Sequence, residues 1–182
     1  MFASEIFSHL FLTFIYFVLI SLLRGNLDFS LVWLWGGAFL GTFLLDIDHL
    51  LFWFWTQPEQ GESIQARALF KMANYRGLYT LLKQTHETHN RLIFHSAIFQ
   101  VVLLLLAFYI LTATNNLFGA GLVMAMNLHL LKDEWFDWFR GRKEALSDWL
   151  FWQIRGVVMK NYLNLYLAVT SIIFLILTVF LV

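Results

Sequence analysis

The chain has 182 residues, of which 60% are hydrophobic, 19% aromatic and only 13% charged, and its formal net charge is zero. Soluble domains carry about a quarter charged residues, so this composition excludes an ordinary soluble domain and predicts a protein embedded in a lipid bilayer. The balanced charge gives no indication of nucleic-acid binding, and the absence of cysteine excludes disulfides and thiolate metal sites.

Five apolar stretches are each long enough to cross a bilayer, which takes about 20 residues. In chain order the predicted spans are residues 5–23, 31–55, 92–113, 117–139 and 162–182. No Lys or Arg precedes the first, which is therefore predicted to be a retained helix and not a signal peptide. Each of the two polar stretches, 59–90 and 140–161, is predicted to be an amphipathic helix at the membrane surface. The sequence thus predicts an all-α, polytopic membrane protein with a single domain over residues 1–182.

The positions of the basic residues predict an orientation. With five spans, eleven of the twelve Lys and Arg residues fall on one side or at its boundary, and only Arg24 falls on the other. Because Lys and Arg are enriched in cytoplasmic loops, we expect a plasma (inner) membrane protein with a cytoplasmic N-terminus and an external C-terminus.

This topology brings the unusual polar residues of several spans to one depth near the cytoplasmic side. They are Asp46, Asp48 and His49 in the second span, His95 early in the third, His129 and Asp133 late in the fourth, and His9 in the first, with His86 and His89 just before the third. A charged side chain at membrane depth costs at least a few kcal/mol. Imidazole and carboxylate groups suit Zn²⁺, Fe or Mn²⁺. The spacings Asp46/His49 and His129/Asp133 each place two such groups on one helix face.

The sequence therefore predicts a site for one or more divalent metal ions with Asp46, Asp48, His49, His95, His129 and Asp133 as ligands. Simpler interpretations also apply to single residues. A single intramembrane histidine such as His9 more often packs between helices, and Arg91 can extend to lipid headgroups. Glu87, Lys132 and Glu134 are predicted to be solvated.

Three motifs in this order resemble those of the membrane-bound metal-dependent hydrolase family, small inner-membrane proteins with a YdjM-like pattern. Residues 45–49, LDIDH, are similar to the family's Leu-Pro-Asp-x-Asp-His, with leucine in place of proline. Residues 129–133, HLLKD, match its late His-x-x-x-Asp. Arg91, His95 and Ser96 match its middle motif, His-Arg-Gly-x-Thr-His-Ser, and His9 matches an early histidine. The resemblance extends to about residue 135 and implies a metal ligand at each matching His and Asp.

The middle motif departs from the family pattern. Asn90 stands where the family has its first histidine, and Leu92 and Phe94 replace the glycine and the threonine. His89 lies one residue early and His86 lies further upstream. Three alternatives stay open: His89 is the ligand, His86 is the ligand, or the site lacks this ligand.

The expected activity is that of a metal-dependent hydrolase acting near the cytoplasmic leaflet on a lipid-like or phosphorylated substrate. Zinc is the favoured metal, ahead of manganese or iron, and would activate water for attack. Arg91 would bind an anionic substrate group, Ser96 would orient His95, and Glu87 would act as general base.

Other functions are also compatible with the residues. The His-x-x-His at residues 86–89 is typical of membrane diiron oxygenases and desaturases, but such enzymes use more than the six histidines present here. An intramembrane CAAX-type protease would need a Glu-Glu-x-x-x-Arg motif, which is absent. A metal-binding or transport protein without enzymatic activity is the remaining alternative, although the outer halves of the spans offer no polar relay.

Overall fold

The computed structural model describes residues 2–25, 28–155 and 159–182, and within these residues the chain is helical without any strand. The α-helices are α1 (Phe2–Arg24), α2 (Leu31–Leu44), α3 (Ile47–Leu51), α4 (Gly61–Lys71), α5 (Tyr75–Thr85), α6 (Ala97–Ala113), α7 (Leu117–Phe139), α8 (Lys143–Leu150) and α9 (Leu163–Leu181). A π-helical turn (Phe52–Thr56) continues α3, and 3₁₀ turns follow α5 (His86–Thr88) and precede α9 (Met159–Tyr162). The all-α prediction is confirmed for the described residues.

Three helical segments in the described part of the chain are long and apolar enough to cross a membrane: Glu5–Arg24, Leu31–Thr56 and Lys160–Leu181. They coincide with the first, second and fifth predicted spans. Helix α6 is apolar but has only 17 residues, or about 25 Å at 1.5 Å per residue, less than the bilayer core of about 30 Å. Helix α7 begins and ends as predicted, but its last turns carry several charged residues.

The predicted start of the third span is wrong by five residues. Residues 92–96 are not α-helical, and α6 begins at Ala97. Two side chains hold this segment in a loop. The carboxylate of Asp48 accepts the backbone N–H groups of residues 93–95. The hydroxyl of Ser96 then caps α6 by accepting the N–H of Phe99 at 3.3 Å.

The predicted single helix over residues 59–90 is also wrong, because α4 and α5 form a helical hairpin. Ala73 ends α4 in the left-handed region, with φ of 51°. Asn74 then caps α5, and its side chain accepts the N–H of Gly77 at 2.9 Å. The predicted helix over residues 140–161 is shortened to α8, and residues 156–158 lie outside the described part.

Helix α7 is the centre of the bundle and packs against α1, α2, α6, α8 and α9. Its approach to α2 is very close because glycines face the partner backbone. A Cβ atom at Gly37 would lie 2.0 Å from the Phe118 carbonyl oxygen, and one at Gly41 would lie 2.4 Å from that of Leu122. Small residues permit such contacts between helices in a membrane. This contact holds α2 against α7, the helix that carries His129.

Candidate metal centre

A cavity of about 170 Å³ lies at the end of the bundle formed by the start of α1, α3, and the last half of α7. Its lining includes all six histidines of the chain: His9, His49, His86, His89, His95 and His129. Four carboxylates and two cations also line it: Glu5, Asp46, Asp133, Asp137, Lys132 and Arg142. We call it the histidine cavity. The packing of distant segments therefore concentrates imidazoles and carboxylates in one place.

The ring of His129 is held in one orientation by the end of α2. The N–H of Asp46 bonds to the Phe43 carbonyl at 3.1 Å and not to the carbonyl of Thr42, four residues earlier. His129 Nδ1 lies 2.8 Å from that Thr42 oxygen and donates to it, because a carbonyl only accepts. A neutral His129 therefore carries its lone pair on Nε2, the atom that faces the carboxylates. Metal-ligating histidines are typically oriented in this way by a backbone carbonyl.

Asp133 lies between three nitrogen groups. Its Oδ2 is 3.2 Å from His129 Nε2, and its Oδ1 is 3.2 Å from His9 Nε2 and 3.0 Å from Lys132 Nζ. The Lys132 ammonium also lies 2.9 Å from His9 Nε2 and, having only donors, donates to it. The lone pair of His9 Nε2 therefore accepts from Lys132, and this ammonium group has to move aside for His9 to bind a metal ion.

Between His129 and Asp133, the lone pair of the imidazole Nε2 points at a lone pair of the carboxylate oxygen. A neutral His129 presents the lone pair of Nε2 to a carboxylate oxygen at 3.2 Å, which is favourable only with a proton or a metal ion between the two atoms. The rings of His9 and His129 are stacked with centroids 3.8 Å apart. Ligand atoms of His9, His129 and Asp133 all lie within 4.8 Å of one another.

A second group of possible ligands shares His129. Ligand atoms of Asp46, His95 and His129 also lie within 4.8 Å of one another, with His129 Nε2 3.8 Å from Asp46 Oδ1. Ligands bound at about 2.0–2.2 Å from one ion lie no more than about 4.4 Å apart. Movements of a few tenths of an ångström would bring either group to that spacing. Nitrogen and carboxylate donors in this number fit zinc, manganese or iron.

Asp48 has a different environment from Asp46. Its side chain is fully buried, its Oδ1 accepts the N–H of Ile93 at 3.0 Å, and its Oδ2 accepts that of His95 at 3.2 Å and that of Phe94. Oδ2 also lies 3.4 Å from His95 Nδ1. Asp48 is absent from the lining of the histidine cavity. Asp48 therefore supports the loop before α6 and orients the His95 ring from outside the cavity.

The opposite part of the cavity contains His49, His86 and His89. The Nδ1 atoms of His49 and His89 face each other at 2.8 Å, and His86 Nε2 lies 2.6 Å from Glu5 Oε2. His89 stacks on Phe52 with centroids 4.0 Å apart. Burial lowers the pKa of His89 to about 4. His89 is therefore neutral near pH 7, the state in which an imidazole binds metal. His86 and His89, the two candidates to replace the family histidine, thus both line the cavity.

Three other predicted site residues lie elsewhere. Arg91 is exposed and lines a separate surface pocket. The hydroxyl of Ser96 is used at the helix cap and donates to the Ile93 carbonyl at 2.8 Å, and no contact between this hydroxyl and the His95 ring is described. The side chain of Glu87 lies outside the described part of the structure. The structure therefore brings the histidines, Asp46 and Asp133 together without Arg91.

The prediction that Lys132 and Glu134 are solvated is wrong. The Lys132 side chain is 12% exposed and Glu134 is fully buried. Lys132 follows His129 by three residues, so this i, i+3 spacing could have placed it on the ligand face. Sequence reasoning also missed Glu5 beside His86 and Glu62, whose Oε2 lies 3.5 Å from His89 Nε2. Their partners are distant in sequence and no local pattern indicates them.

Comparison of the chain with models of known protein families found no match, and searches of curated proteins and of solved structures likewise found none. Over its described residues the structure shows a helical protein with three segments long and apolar enough to cross a membrane and with His/Asp groups that could hold a metal ion.

Proposed function

We propose that this protein is a membrane-embedded, metal-dependent hydrolase whose active centre is the histidine cavity. The observation that carries the proposal is the arrangement around His129. The Thr42 carbonyl fixes its tautomer at 2.8 Å, while carboxylates of Asp133 and Asp46 lie 3.2 and 3.8 Å from its Nε2. The motifs that resemble the membrane-bound metal-dependent hydrolase family contain these same two aspartates and this histidine.

The residues that would hold metal form two groups sharing His129. One is His9, His129 and Asp133, and the other is Asp46, His95 and His129. A divalent ion held by these residues would supply Lewis-acid activation of water. We favour zinc, with manganese or iron as alternatives.

The protein's own residues would position these groups and move protons. The Asp48 carboxylate orients His95, and the Thr42 carbonyl keeps the His129 lone pair directed at the cavity. Glu5 and His86, joined at 2.6 Å in the cavity wall, form an acid–base pair suited to exchange a proton with a substrate or a leaving group. The sequence predicted Glu87 as the general base, but its side chain lies outside the described part of the structure.

We further propose that α1, α2–α3, α6, α7 and α9 all cross the inner membrane and that the histidine cavity faces the cytoplasmic leaflet. Metal ions bound among the carboxylates, together with Lys132 and Arg142 of the lining, would favour a substrate with an anionic group, such as a lipid phosphoester. Single cysteines introduced at Thr80 and Asn115, both exposed in a chain without cysteine, should be labelled from opposite faces. Labelling of both from one face would contradict the five-span orientation.

The metal content and activity of the purified protein test the proposal. We expect bound zinc or manganese in elemental analysis and hydrolysis of at least one member of a panel of lipid phosphoesters, lipid esters and soluble esters. His129→Ala and Asp133→Asn should lose metal and activity together. Asp28→Asn is the matched control, because Asp28 is exposed and lies outside the cavity; it should keep both.

Two results would redirect the assignment. Bound iron with an optical absorption band would favour the diiron oxygenase alternative, which six imidazoles in one cavity also make chemically reasonable. Full metal occupancy with no hydrolysis across the whole panel would favour a metal-binding or transport protein.

A further inference from the structure

A second pocket, of about 600 Å³, lies beside the histidine cavity. Its lining consists of Asn90, Arg91, Asp148, Trp152, Gln153 and Arg155. We call it the arginine pocket. It is formed by the segment before α6 and the segment around the end of α8, which are brought together at the end of the bundle that contains the metal ligands.

The arginine pocket and the histidine cavity share a wall. Arg91 lines the arginine pocket, whereas its neighbour Leu92 lines the histidine cavity; likewise Asp148 lines the former and Trp149 the latter. The indole N–H of Trp152 donates to the Leu92 carbonyl at 2.9 Å and ties the two segments together. A ligand in the arginine pocket would therefore lie directly across this wall from the metal ligands.

The chemistry of the lining selects an anion. Arg91 and Arg155 are both exposed, and neither has an ion-pair partner among the described side chains. The guanidinium group presents its N–H donors in a planar fork that matches two oxygens of a phosphate. Asn90 and Gln153 add amide donors. Asp148 is the one carboxylate in the lining, so the pocket keeps a net charge of +1.

We propose that the arginine pocket binds the phosphate headgroup of an anionic phospholipid. The location favours a lipid over a free phosphate. The pocket lies on the segment that leads into the apolar helix α6 and includes Trp152, an indole of the kind that concentrates at headgroup depth. Anionic headgroups attract Arg and Lys residues at that same depth. The proposal adds a binding site beside the proposed metal centre and does not depend on any hydrolytic activity.

The experiment measures binding without catalysis. The purified full-length protein in a neutral detergent is titrated with dioctanoyl phosphatidylglycerol, with zwitterionic dioctanoyl phosphatidylcholine, and with inorganic phosphate, while its thermal midpoint is recorded. A ligand that binds the folded state raises the midpoint. We expect phosphatidylglycerol to raise it at concentrations where the other two do not, and the effect to decrease as salt is added.

Substitutions locate the effect. Arg91→Gln and Arg155→Gln should each weaken the apparent affinity for phosphatidylglycerol by about tenfold, as expected for loss of one charge-assisted contact. Arg76→Gln is the matched control, since Arg76 is exposed on α5 outside both pockets, and it should bind like the wild type. If a glutamine variant does not fold, the lysine variant of the same residue, Arg91→Lys or Arg155→Lys, is used instead. It should bind phosphatidylglycerol less tightly than the wild type because it lacks the planar guanidinium fork.

Wild-type affinity in both arginine variants would overturn the proposal. An equal response to inorganic phosphate would overturn the lipid assignment. Lipid binding is measured by the thermal midpoint, whereas the proposed function is tested by metal content and hydrolysis. A negative result in the lipid titration therefore leaves the proposed function intact. A negative result for metal or hydrolysis likewise leaves the lipid site intact.

Discussion

Replacing Gly41 by alanine should separate α2 from α7 and thereby damage the metal centre. The new Cβ would lie 2.4 Å from the Leu122 carbonyl oxygen, about 1 Å less than the 3.4 Å of an ordinary contact. The atom that must move is backbone, so the two helices have to shift apart. A shift of this size would stretch the 2.8 Å hydrogen bond between His129 Nδ1 and the adjacent Thr42 carbonyl beyond hydrogen-bonding distance.

The loss of stability in Gly41→Ala is the sum of three contributions. Overpacking costs about 1–3 kcal/mol, and a buried donor left without its acceptor costs about 1–3 kcal/mol. The better helix propensity of alanine returns about 1 kcal/mol. We therefore expect the free energy of unfolding to fall by about 1–5 kcal/mol, measured by reversible unfolding in mixed micelles and followed by circular dichroism. The metal content should fall as well.

Gly36→Ala is the matched control. Gly36 lies on the same helix, but a Cβ there would meet only ring atoms of Phe118, at 3.8 Å. This variant should be neutral or slightly stabilised and should keep its metal. Equal stability and equal metal content in the two variants would refute the argument that the close α2–α7 contact positions His129.

Four further predictions follow from other contacts. Asp48→Asn should destabilise the loop before α6 by about 1–3 kcal/mol, because an amide cannot accept all three backbone N–H groups; hydrogen exchange should accelerate at residues 93–95, and unchanged exchange would contradict the supporting role. Ser96→Ala should cost about 1 kcal/mol of stability through the lost helix cap at unchanged metal content, whereas metal loss would favour a direct effect on His95. Because burial lowers the pKa of His89 from 6.5 to about 4, the metal-free protein should keep its full stability above pH 6.5 and lose it progressively as the pH falls toward 4. His89→Phe should flatten that dependence of the thermal midpoint, and an identical slope would show that other groups cause it. Chelation of the metal should lower the thermal midpoint of the wild type, because metal binding contributes to folding free energy; equal midpoints would argue against a stabilising ion.

The sequence by itself determined the helical class and the extent of several segments, because long apolar runs require helices in a bilayer. The bounds predicted for the fourth span, residues 117–139, coincide with α7. The sequence also determined which residues could bind metal. His129 and Asp133 lie four residues apart on a helix, so their contact is local and readable from their spacing.

Only the tertiary structure decided which of the candidate ligands line the cavity and which do not. Asp46 and Asp48 are two residues apart, and the sequence predicts the same role, metal ligand, for both. In the structure Asp46 lines the histidine cavity, whereas Asp48 accepts backbone N–H groups from residues 93–95. The partner of Asp48 is a loop more than forty residues away, which no local period can indicate. Arg91 was separated from the cavity, and Lys132 buried within it, for the same reason. Each outcome depends on how the helices pack around α7, and packing is decided by contacts between segments that are distant in the chain.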